Sequence, residues 1–74
     1  MKEQEIREKL QKENDEFRKV SDEHHKLDTL LAEIDKKVYL TPEEEIERKK
    51  LQKQKLLKKD LMAEMIRVFK QANQ

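Results

Sequence analysis

Seventy-four residues are enough for one domain at most. Charged residues make up 47% and hydrophobic ones 34%, yet 18 basic and 17 acidic side chains nearly cancel, leaving a formal charge of +1. That balance, with no Gly and one Pro, argues against a charge-expanded disordered tail and for long exposed helices, while the lack of Cys excludes disulfide and thiolate chemistry.

The first segment, MKEQEIREKL, has no apolar core of the kind a secretory signal needs. No apolar run anywhere approaches the roughly twenty residues of a membrane span. The expectation is a soluble, cytoplasmic protein. From Ile6 onward a repeat of alternating four and three residues picks out Ile6, Leu10, Glu13, Phe17, Val20, His24, Leu27, Leu31, Ile34 and Val38, and all but Glu13 and His24 are apolar. This is the spacing of a coiled-coil seam. Acid-before-base pairs four apart (Glu3–Arg7, Glu5–Lys9, Glu8–Lys12, Asp15–Lys19, Asp22–Lys26, Glu33–Lys37) each add about 0.2–0.5 kcal/mol to a helix. A continuous helix over about 3–37 is predicted, its first part (residues 1–15) a charged helical extension.

The pattern stops at VYLTPEEE. Thr41 suits a helix N-cap, Pro42 the first helical position, and Glu44 completes a Thr-x-x-Glu capping box. Glu43, Glu44 and Glu45 favour the positive end of a helix dipole. Residues 38–41 are therefore an interhelix loop, and a second helix is predicted over about 42–72. On it Leu51, Leu61, Met65, Val68 and Ala72 share a face, with Ile46 and Leu57 beside it. So short a connection makes the two helices antiparallel neighbours. Folding the chain about Tyr39 sets Leu27 against Leu51, Phe17 against Leu61, Leu10 against Val68 and Ile6 against Ala72. The fold expected for residues 1–74 is a single all-α domain: two long antiparallel helices in a coiled-coil-like αα-hairpin. Its seam is Ile6, Leu10, Phe17, Val20, Leu27, Leu31 and Ile34 against Leu51, Leu57, Leu61, Met65 and Val68.

The segments EFRKVSDEHHKLDTLLAEID and ERKKLQKQKLLKKDLMAEMIRVF add a resemblance. An H-x-L-D-like element (His25, Leu27, Asp28) precedes a K-K-x-x-x-K-L-x-x-K-D-x-M-like element (Lys49, Lys50, Lys55, Leu56, Lys59, Asp60, Met62). Over about residues 16–69 the chain resembles the YdcH-like family of short bacterial helical-hairpin proteins. The resemblance implies a small cytoplasmic hairpin, a domain of unknown function with no assigned catalytic activity.

Three features compete as functional sites. Adjacent His24 and His25 project about 100° apart on a helix, so they do not converge on one metal, and no metal is expected. His24 occupies a seam position opposite Gln54, and the pair is expected to form a polar layer that fixes register. The run RKKLQKQKLLKK, residues 48–59, is basic without an acid. Its charges circle the helix and face Asp22, Glu23 and Asp28, with Asp28 and Arg48 on matching flanks, as are Ser21 and Lys55. Cross-helix pairing is the preferred role, and nucleic-acid contact through Lys49, Lys50, Lys53, Lys55 and Lys59 the alternative. Met62, Ile66 and Phe69 form a second apolar stripe with no evident place inside a two-helix hairpin, which points to an oligomer or partner surface. No glycine-rich phosphate loop, metal-ligand set or nucleophile with a base is present, so neither enzymatic activity nor a cofactor is expected. The functional expectation is a structural or protein-interaction hairpin that self-associates, with a dimeric four-helix bundle favoured.

Overall fold

The computed structural model describes residues 2–72, so the outermost ends of the expected 1–74 domain lie outside the described residues. Among the described residues the chain is all helical and has no strand: α1 is Glu3–Glu13, α2 is Asp15–Asp35 and α3 is Pro42–Ala72. The single first arm expected over about 3–37 is thus corrected to two helices, and the two-helix hairpin to three.

Asn14 makes the break. Its backbone leaves helical geometry (φ −113°, ψ 110°) while its amide donates to the Leu10 carbonyl at 2.8 Å, closing α1. Its side-chain oxygen accepts from the Phe17 amide at 2.9 Å, so the same residue caps the start of α2. Asp15 and Glu16 follow in the first turn, where the helix dipole favours them. Arg18 then reaches back across the break. Its Nε and Nη2 donate to the carbonyls of Gln11 and Lys12, both at 3.0 Å, covering acceptors that the end of α1 leaves unused.

The break allows α1 to lie against both other helices. Ile6 and Leu10 join Phe17 and Val20 of α2 and Met62 and Ile66 of α3 in one core, with Met65 and Phe69 packed against it. Ile6 is 1% exposed and Phe17 2%. Two helices alone leave the flanks of such side chains wet; a third helix covers them. Lys9 adds its ammonium over the Phe69 ring at 5.6 Å.

α2 and α3 run antiparallel, as their ion pairs require: Asp35–Arg48 at 2.7 Å, Asp28–Lys55 at 2.6 Å and Glu23–Lys58 at 2.8 Å. These are not the partners that folding about Tyr39 provides. Asp28 meets Lys55 rather than Arg48, and Lys55 is taken from the level of Ser21. Helical side chains lean toward their own N-terminus, so in an antiparallel pair touching residues lie further along both chains than facing backbones do.

The loop ends on a reciprocal cap. The Glu44 amide donates to Thr41 Oγ1 and the Thr41 amide to Glu44 Oε1, each at 3.1 Å, with Pro42 as the first helical residue. Lys37 closes the connection with an ion pair to Glu44. Val38 lies outside the seam repeat: it and Tyr39 are 87% and 88% exposed at the tip.

The inward face of α3 needs the largest correction. Its half-buried and buried residues are Glu44, Arg48, Leu51, Lys55, Lys58, Met62, Met65, Ile66 and Phe69. From Glu44 to Phe69 all but Ile66 recur at alternating four and three, so α3 carries a seam in which Arg48, Lys55 and Lys58 hold three positions. Their methylene stems cover the interface while their charged ends reach the acids of α2. Relative to the expected seam the helix is turned so that Met62 and Ile66 are interior. Leu57, Leu61 and Val68, expected inside, are 55%, 48% and 52% exposed. The third helix supplies the reason, since α1 covers the side of α3 on which Met62 and Ile66 lie.

Candidate interaction surface

The interhelical ion pairs set the electrostatics of the α2–α3 interface. A hydrogen bond from Lys58 holds the Glu23 carboxyl below the usual carboxylate range, with the Lys58 and Lys19 charges adding to it. Asp28 is held down in the same way by its hydrogen bond to Lys55 and by that ammonium's charge. Glu44 is held down first by Lys37 and then by the Thr41 amide. The basic run is thus tied into the fold at Arg48, Lys55 and Lys58. Lys49, Lys50, Lys53 and Lys59 are exposed, and among the described residues no ion pair engages them.

The expected polar layer is not assembled. His24 is half-buried and its Nε2 is buried without a hydrogen-bond partner, whereas Gln54 is exposed beside Leu27. The inclination of the side chains brings Lys58, not Gln54, to this level of α2, where it bonds Glu23. Among the described residues no group of three or more acidic or imidazole side chains is placed to hold a metal ion.

Met62 and Ile66, expected to form an outward surface, are core, and Phe69 packs against that core. The unpartnered apolar surface lies elsewhere. One side of the α2–α3 interface is an open groove with Leu27, Leu30, Leu51, Leu57 and Leu61 along it and Glu23, Lys26 and Lys58 at its rim. Toward the loop it continues past Leu30, Leu51 and Ile34 to Glu33, Glu43 and Glu47. On α3 the stripe extends beyond the groove, because Val68 lies seven residues from Leu61 and shares its face. One signal in the sequence marks this surface: the leucines at 57 and 61 repeat at helical spacing, with Val68 seven residues further on.

Among the described residues no helix is long and apolar enough to cross a membrane. Fold and surface together define a small all-helical protein with a three-helix core at one end and an open apolar groove toward the other. The chain matches no family model, no curated protein and no solved structure.

Proposed function

We propose that the protein is a non-enzymatic helical interaction module, cytoplasmic and related to the YdcH-like hairpins it resembles, that self-associates through the α2–α3 groove. The observation that carries this reading is the row of exposed leucines, Leu30, Leu57 and Leu61, beside half-buried Leu27 and Leu51. An apolar strip of that length is characteristic of association surfaces. Within the hairpin formed by α2 and α3, the groove plays the part that the Met62–Ile66–Phe69 stripe was expected to play.

Nucleic-acid binding is the weaker reading. Arg48, Lys55 and Lys58 bond acids of α2, and the exposed lysines that remain reduce to one small group, Lys49, Lys50 and Lys53, with Glu45 four residues before Lys49 and Asp60 seven after Lys53 on the same outer side. Light scattering, with circular dichroism as the fold control, tests the association. Wild type is expected to be a dimer. The Leu57→Asp/Leu61→Asp double variant is expected to be a helical monomer, because both positions are already half open to water. A monomeric wild type, or a variant that remains dimeric, contradicts the proposal.

A further inference from the structure

The junction between α1 and α2 can be closed in two ways with the same number of hydrogen bonds. A helix unbroken through Asn14 would send the amides of Asp15, Glu16 and Phe17 to the carbonyls of Gln11, Lys12 and Glu13. The bend gives up those three backbone bonds and takes three from side chains: the Phe17 amide donates to Asn14 Oδ1, and Arg18 donates to the Gln11 and Lys12 carbonyls. The backbone groups left over belong to Glu13, Asp15 and Glu16, exposed residues that water serves. At the junction only Asn14 has left helical geometry, and neither Gly nor Pro stands near it to oppose a continuous helix.

The apolar pattern suits the unbroken form as well. Ile6, Leu10, Glu13, Phe17 and Val20 keep the four-and-three spacing across the bend, so a straight helix carries Ile6 and Leu10 on the face of Phe17 and Val20. α1 is also lightly held where it lies. Among the described residues no ion pair joins it to α2 or α3, whereas three join α2 to α3. Its anchors are Ile6, Leu10 and the Lys9 contact with the Phe69 ring. Eleven residues are too few for a helix to stand alone in water, so α1 needs a core to cover it. That core need not belong to the same chain.

We propose that α1 is an exchangeable arm. Straightened at Asn14, it leaves its own core and seats Ile6 and Leu10 among Phe17, Val20, Met62 and Ile66 of a second copy, which returns its own arm about a two-fold axis beside Asn14. The contacts of α1 with the core re-form between copies, which is why exchange of an identical element is a low-cost route to a dimer. This contact is separate from the α2–α3 groove and does not depend on it.

Asp15→Pro separates the two forms. Proline suits the first position of α2, and the extended backbone of Asn14 is what a following proline favours. Inside an unbroken helix the same ring would meet the Gln11 carbonyl. The chain has no Cys, so Lys9→Cys and Lys70→Cys are placed in separate chains without background. Both positions are exposed, and Lys9 overlies Phe69, the neighbour of Lys70. Each is made with Leu57→Asp/Leu61→Asp, which blocks the groove. The two proteins are unfolded in urea, mixed, refolded at high concentration and treated with a short bis-maleimide. The expected product is a dimer cross-linked from 9 to 70, with little from either chain alone, and it is lost when both chains also carry Asp15→Pro. Asn14→Ala/Arg18→Gln, which removes the side-chain bonds of the bend, is expected to raise its yield. No such dimer after refolding together, one that survives Asp15→Pro, or a lower yield from Asn14→Ala/Arg18→Gln overturns the exchange. The groove is judged separately, by whether Leu57→Asp/Leu61→Asp dissociates a dimer that was never refolded. Circular dichroism of each variant confirms that a missing product is not a missing fold.

Discussion

Replacing Asn14 by Ala removes the oxygen that caps the Phe17 amide, and loss of such a cap costs about 1 kcal/mol. Asn14→Ala is accordingly expected to lower the urea unfolding midpoint, whereas Asn14→Asp, which keeps an acceptor at the same place, should hold it near wild type. Equal midpoints for Ala and Asp would show that the cap does not define the junction. This residue was readable in the sequence as Asn followed by Asp15 and Glu16. The seam repeat concealed it, because α1 and α2 face the same core and their apolar spacing continues through Glu13 as though the helix did. Arg18 is a different case: a bond to carbonyls six and seven residues earlier exists only once the helix has broken. Local spacing does not register it.

At the scale of the element, α3 shows why apolar spacing found the helix and missed its inward face. Positions Arg48, Lys55 and Lys58 belong to the seam, but a search for apolar repeats rejects a lysine. It then settles on Leu57, Leu61 and Val68, each one residue, about 100° round the helix, from Lys58, Met62 and Phe69. What seats the lysines is the set of acids facing them on α2, and that information lies in another helix. The Thr41–Glu44 cap, by contrast, is contained within four residues and legible from them. The same ion pairs make stability depend on acid. Glu23 and Asp28 have lowered carboxyl pKa values in the folded state, so near and below the ordinary carboxylate range, about pH 4, the unfolded chain binds more protons. Their contribution is fully present above that range and is lost as pH falls through the native values. Urea midpoints recorded from neutral pH into acid should therefore fall on the acid side, and less steeply in a Lys55→Gln/Lys58→Gln variant. An acid limb unchanged by that double substitution would remove these pairs as its cause.

The whole molecule is built unevenly along its 49 Å length. At one end three helices enclose Ile6, Leu10, Phe17, Val20, Met62 and Ile66. Toward the loop two helices are held by Leu31, half-buried leucines and ion pairs, with the groove open beside them. The helical class and the return at VYLTPEEE were legible because capping and amphipathic spacing are local. The three-helix core was not, since it depends on where α1 goes after a break that the repeat hides. The basic run 48–59 acquires a structural meaning from the same architecture: it supplies one wall of the two-helix half. Neighbouring residues 61 and 62 divide the two faces of α3, and a comparison of Leu61→Asp with Met62→Asp by urea denaturation tests that division most directly. A carboxylate at 62 would be buried without a partner, at a cost of several kcal/mol, while one at 61 would face water. The expected result is a Met62→Asp protein that loses its helical signal or most of its urea resistance, beside a Leu61→Asp protein that stays folded. The reverse order would contradict the arrangement of α3 described above.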